Sequence, residues 1–73
     1  MPPKNTRKDI ATRLKQAREK AGYASAEDFC QQNKLPVDVY LAHEQGKTPM
    51  KRLEGLRYCK LLRVPLHKLI VGD

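Results

Sequence analysis

Tryptophan is absent from this chain, and three tyrosines and one phenylalanine are its only aromatic residues. So small an aromatic set gives single-stranded bases little to stack on, which argues against an RNA-recognition sheet. No apolar run approaches the roughly 18 residues that a membrane-spanning helix requires, so no membrane partner is expected. Cysteine occurs twice, at distant positions and without a secretory leader, a usage that fits a reducing, cytoplasmic compartment better than a disulfide scaffold. Cys30 and Cys59 each fall on an apolar helix face and read as small core residues, while His43 and His67 lack metal-like spacing to each other or to the cysteines. No Ser/His/Asp or Cys/His constellation, glycine-rich phosphate loop or cleft carboxylate pair is evident. An enzyme is not expected, and no cofactor or metal is called for. Acid is the scarcer charge: 8 Asp and Glu stand against 15 Lys and Arg, a formal net charge of +7 that favours an anionic partner. With 73 residues the chain has room for one domain around one small core.

What is present is organised around Ser25–Gly46, SAEDFCQQNKLPVDVYLAHEQG. Ser25 can cap orphan helix amides, and Glu27 and Asp28 favour the positive end of the helix dipole, so a helix is predicted from there to about Asn33. Lys34 and Leu35 form a turn. Pro36 fits the first turn of a second helix, over roughly Val37 to Gln45, which Gly46 stops. Phe29, Cys30, Leu35 and Tyr40 are spaced to turn one face of each helix toward a common core, a helix-turn-helix pattern.

Around this centre the expectation is an all-α, five-helix domain. Residues 1–8, with Pro2, Pro3, Lys4, Arg7 and Lys8, read as a flexible basic arm suited to phosphates or a minor groove. A first helix over about Asp9 to Ala21 places Ile10, Leu14, Ala17 and Ala21 on an apolar stripe and leaves Arg13, Lys15 and Lys20 to solvent. A fourth helix, about Met50 to Leu62, offers Leu53, Leu56, Tyr58, Cys59, Leu61 and Leu62 for burial. Gly55 within it either weakens the helix or permits close contact. After a break at Arg63-Val64, Pro65 opens a last helix with Leu66, Leu69 and Ile70 on its core side, ended by Gly72.

RLKQAREKAGY (Arg13 to Tyr23), the small Cys30 in mid-helix, HEQGKTP (His43 to Pro49) and LEGLRYCKLLRVPLHKLI (Leu53 to Ile70) together resemble the lambda-repressor/Cro-type, or Xre-type, DNA-binding domain over about Ile10 to Gly72. The resemblance implies a homodimeric transcriptional regulator, a repressor by expectation, bound to double-stranded DNA with its Val37–Gln45 helix in the major groove. By this match Pro36, Val37, Asp38, Leu41, Ala42 and Gln45 face the bases. Ser25, Lys47, Thr48, Lys51 and Arg52 lie at phosphates, where the start of the fourth helix also favours an anion. Arg18 is implied to pair with Glu44, tying the first helix to the end of the recognition helix. Lys34 stands where the family commonly has Gly, and Asn33 where it is usually apolar.

Only Gln45 among the base-facing residues belongs to the side chains that usually read base edges. Charge is also distributed against expectation. Residues 1–20 carry a net +5, residues 21–46 a net −3 and residues 47–73 a net +5. Basic flanks could hold phosphates while an apolar helix tip reads groove shape and thymine methyls. The alternative is a protein-interaction module that keeps the helix-turn-helix and binds a protein through Val37, Leu41 and Ala42.

Overall fold

The structure is a computed structural model that describes residues 7–70, and over these the chain is all-α. Its five helices are α1 Arg7–Lys20, α2 Ala26–Asn33, α3 Val37–Glu44, α4 Arg52–Leu62 and α5 Leu66–Ile70. Residues 1–6 of the expected basic arm, and Gly72, lie outside the described residues. The last two residues assigned to that arm, Arg7 and Lys8, already belong to α1.

Leu14 of α1 is fully buried and Ile10 and Ala17 pack beside it, as the three- and four-residue spacing requires. Ala21 departs from the expected stripe: it falls past the end of the helix and is exposed. Ala11 is buried instead. The helix closes through a Schellman motif, in which the Gly22 N–H donates to Glu19 O (3.0 Å) and the Tyr23 N–H to Arg18 O (3.2 Å). The motif requires the left-handed conformation that Gly22 adopts at φ 97°.

The Ser25 Oγ accepts the Asp28 N–H at 3.0 Å and starts α2. The helix ends at Lys34, whose φ of 56° puts a residue with a Cβ in the left-handed region. The Leu35 N–H then donates to Cys30 O at 2.8 Å, turning the chain toward α3. Asn33 is tolerated because its Nδ2 donates to Phe29 O at 2.9 Å. Pro36 stands at the N-cap of α3 (φ −70°, ψ 120°), one place earlier than the first-turn position expected of it, and the helix stops at Glu44 with Gln45 as its cap. A second Schellman motif follows: Gly46 has φ 75°, its N–H donates to His43 O (3.2 Å), and the Lys47 N–H donates to Ala42 O (2.9 Å).

The whole aromatic set converges on one spot. Tyr23 meets Phe29 edge-on (centroids 5.0 Å), Phe29 meets Tyr40 (5.0 Å), and Tyr40 meets Tyr58 edge-on (5.1 Å). Phe29, Cys30 and Tyr40 are completely buried there.

In α4 the expectation fails in a regular way. The helix begins at Arg52, two residues later than expected, and its buried stripe is Gly55, Tyr58, Cys59 and Leu62. That stripe leaves Leu53 (80% exposed) and Leu56 (42%) on the outer face, so neither joins the core. Gly55 is a point of close approach, since a Cβ there would lie 3.2 Å from Leu66 Cδ1 and 3.4 Å from Met50 Cε. After Arg63, also left-handed at φ 59°, Pro65 leads into α5, where Leu69 is buried and Leu66 and Ile70 are half-buried. Arg13 is not left to solvent: its Nη1 donates to Leu69 O (3.3 Å) and Ile70 O (3.0 Å), a cation on the final carbonyls of α5. Among the described residues no helix is long and apolar enough to cross a membrane.

Lys34 and Arg63 each hold a conformation that disfavours any residue with a Cβ, by about 1–2 kcal/mol, part of which a glycine recovers against its larger unfolded-state entropy. Lys34→Gly is therefore expected to raise stability by ~0.5–1 kcal/mol and the midpoint of thermal unfolding by ~2–8 °C. Circular-dichroism melting checks this. An unchanged or lower midpoint would show that Lys34 is stabilised by more than its backbone conformation costs.

Candidate nucleic-acid interface

α3 has only eight residues, too few to be helical alone, so what docks it determines how its outer face is presented. Arg18 holds one end. Its Nε and Nη2 donate to Glu44 Oε1 at 3.3 and 3.0 Å, and its Nη1 donates to Tyr23 O at 2.8 Å. The guanidinium thus joins α1, the α1–α2 connection and the end of α3, with both of its bonds to Glu44 converging on one oxygen. Burial disfavours the Arg18 charge, and the Glu44 carboxylate more than compensates, raising the guanidinium above its usual range. Glu44 Oε2 and the Tyr40 hydroxyl are buried without hydrogen bonds. Burial first, and the Glu44 charge second, push the Tyr40 phenol far above its ordinary value.

His43 docks the flank of α3 on α4, a role the sequence reading did not assign to it. Its imidazole is buried, with Nδ1 2.9 Å from the Tyr58 hydroxyl and Nε2 3.4 Å from Glu54 Oε1. A hydrogen on Nε2 facing the carboxylate, with Nδ1 accepting from Tyr58, satisfies both contacts. Glu54 Oε1 also accepts the Lys51 N–H at 2.9 Å, so one carboxylate caps α4 and anchors α3. Burial, followed by the charge of Glu54, pushes the Tyr58 hydroxyl up to about 12. Burial likewise raises the Cys30 and Cys59 thiols, and both remain free in the core.

The base-facing set is only partly outward. Asp38, Gln45 and the N-cap Pro36 are exposed and Ala42 is half-exposed. Val37 and Leu41 are half-buried and pack against the core, because Tyr40, His43 and Glu44 fix the inner side of α3 and draw both residues to its edge. Val39, which the sequence reading did not place outside, is 43% exposed. The outer face is therefore Asp38, Val39, Ala42 and Gln45.

The phosphate set divides as well. Lys47, Thr48, Lys51 and Arg52 are all exposed. The Lys47 and Thr48 amides both donate to Ala42 O, at 2.9 and 3.3 Å, which seats them directly at the end of α3. Lys51 and Arg52 open α4, and the Glu54–His43 contact ties that end of the helix back to α3. Ser25 is apart from this cluster in its bonding: half-buried, its oxygen is engaged by the α2 cap, which leaves its hydroxyl hydrogen as a donor. Among the described residues no group of three or more His, Cys, Asp or Glu could hold a metal ion.

No protein-family model matches the chain, and no characterised protein or solved structure matches it. The likeness to Xre-type domains thus rests on the residues quoted above.

Two outcomes follow from the buried polar groups. Glu44→Gln leaves the Arg18 charge buried without its counter-charge, and a loss of about 3–5 kcal/mol is expected in urea unfolding at neutral pH. A loss below about 1 kcal/mol would show that the pair behaves like an exposed one. The second concerns alkali. The folded state keeps the Tyr58 proton until about pH 12, whereas an unfolded tyrosine releases it near pH 10. The stability that Tyr58 contributes is thus fully present below about pH 10 and is lost as pH rises toward 12, with Tyr40 acting in the same direction. Urea midpoints are expected to decline across this range, less steeply in Tyr58→Phe. A flat profile would contradict the burial argument.

Proposed function

We propose that the chain is a lambda-repressor-like helix-turn-helix domain that binds double-stranded DNA and regulates transcription by occupying its site. The observation that carries this reading is the seating of the basic segment. Lys47 and Thr48 bond to the last turn of α3, and Lys51 and Arg52 begin a helix fastened to α3 through His43. A cationic ridge is thereby held beside the outer face of a short helix, the arrangement needed to dock on phosphates while that helix meets the bases.

Within this reading the division of labour is uneven. Lys47, Thr48, Lys51 and Arg52 supply affinity. Gln45 is the one outer-face side chain suited to pair with adenine, Asp38 accepts only from cytosine, and Val39 and Ala42 meet thymine methyls. The domain acts as a homodimer on a two-fold site, with half-sites about one helical turn apart.

A second reading, a protein-interaction module using α3, draws support from the exposure of Val39 beside Ala42 and from the absence of any cation on that face. Leu41 cannot discriminate the two, since it packs on the core; Val39 can.

Selection from randomised duplex DNA with excess competitor is expected to enrich a two-fold motif. Affinity for it should fall with salt at a log–log slope of about −4 to −5. Lys51→Glu with Arg52→Glu should abolish binding and Gln45→Ala should relax one position of the motif by about 1–3 kcal/mol. Sequence-indifferent binding that survives only at low salt would refute a sequence-specific regulator. If duplex binding is also unaffected by Lys51→Glu with Arg52→Glu, while Val39→Glu removes the regulatory activity, the α3 protein interface stands in its place.

A further inference from the structure

We infer that the outer face of α4 is a second docking surface, built for a protein segment that presents apolar side chains flanked by carboxylates. Leu53, 80% exposed, and Leu56, 42% exposed, lie one turn apart, and Lys60 continues their line along the helix. A lone exposed leucine is ordinary, but two on one stripe of a helix with its own buried face are a ridge. Arg52 and Arg57 are exposed on either side of this ridge, and Arg63 is exposed at its end. Among the described residues none of these four cations forms an ion pair. The single acid of α4, Glu54, points the other way, to His43 and the Lys51 amide. The surface is therefore apolar along its centre and uniformly positive at its rim.

Three occupants fit it less well. Glu54 and Tyr58 mark the side of α4 that meets α3, and Leu53, Leu56 and Lys60 lie roughly 150° around the axis from them at 100° per residue. The ridge thus turns away from the helix proposed to enter the groove, and leucines contribute nothing at a phosphate backbone. A second copy applied through the same face would set four cations against four, which like-charge repulsion disfavours. A lipid surface matches the charge, but two leucines are a shallow anchor. An amphipathic protein segment with an acidic border matches both the ridge and the rim, and its centre on Leu53, Leu56, Arg57 and Lys60 lies on a different face from the DNA-binding reading, with Arg52 alone shared at the edge of both.

The test uses the whole chain and a labelled synthetic amphipathic peptide, with leucine along one helical face and glutamate at the positions bordering that face, at about 0.15 M salt. A control peptide keeps every glutamate and replaces each leucine by serine. The leucine peptide is expected to bind about tenfold or more tighter than the serine peptide. In Leu53→Ser that advantage should disappear, and in Arg57→Glu with Lys60→Glu binding should be lost. Circular dichroism should be unchanged in both, since all three side chains are exposed. Amide chemical-shift changes should centre on Leu53, Leu56, Arg57 and Lys60. Equal affinity for the two peptides, or a footprint on α3 and Lys47–Arg52, would overturn the proposal. So would a loss of duplex DNA affinity in Leu53→Ser, Leu53-dependent binding to phosphatidylserine vesicles without peptide binding, or self-association of the free chain that Leu53→Ser abolishes.

Discussion

The structure depends on the Arg18 guanidinium. Three of its N–H groups reach two segments beyond α1: the carbonyl of Tyr23 and the carboxylate of Glu44. Tyr23, held by that bond, lies edge-on to Phe29, which meets Tyr40 on α3. The ion pair and the aromatic contacts thus close a ring through α1, α2 and α3, in which each member fixes the angle of the next. The pair couples α1 to the end of α3, because the desolvated guanidinium meets its counter-charge only when both are docked. Beside this pair the buried Tyr40 hydroxyl lies in the field of the Glu44 carboxylate, which with burial holds its proton firmly.

α4 is fixed by a different means. His43 touches Tyr58 and Glu54, and Glu54 also caps the helix through the Lys51 amide. The segment from Gly46 to Lys51 is consequently short and bound at both ends, by the Schellman bonds to α3 and by the Glu54 cap. Its backbone, from which the cations project, is thereby tied to α3 and to the start of α4. Positional control of charge, more than its amount, distinguishes a docking ridge from a merely basic surface.

Much of this was legible in the sequence where local chemistry speaks loudly. Ser25 as a cap, Gly46 as a stop and Pro36 as a boundary each constrain the backbone by themselves, so the bounds of α2 and α3 fall within a residue of expectation. What failed required knowledge of a partner. The apolar residues of α3 surround much of the helix, Val37, Val39, Leu41 and Ala42 among them, so periodicity cannot tell which side is inner. Tyr40, His43 and Glu44 decide it through contacts with other helices. In α4 leucine's usual burial predicts Leu53 and Leu56 in the core with Leu61 and Leu62; the inner stripe instead runs to Leu62 through Gly55, whose missing side chain makes room for Met50 and Leu66. The helical spacing leaves Arg13 to solvent because nothing local announces that the carbonyls of α5 arrive beside it.

The segregation of charge along the chain now has a physical reading. The net −3 of residues 21–46 includes Glu44, whose charge is neutralised internally by Arg18, so the outer face of α3 is less acidic than the sequence total suggests. Asp38 remains as its exposed carboxylate. A helix so equipped adds little attraction for a polyanion, and in the DNA-binding reading its work is rejection: Asp38 tolerates a cytosine amino group and disfavours acceptor-rich edges. Attraction then falls to the exposed cations of the Lys47–Arg52 ridge, which do not distinguish sequences. In that reading Arg57, Lys60 and Arg63, on the far side of α4, belong neither to the base-facing helix nor to the phosphate ridge. Leucines set among them, facing away from α3, are what a surface selected for phosphate alone would lack, and they give that side of the domain a separate chemistry.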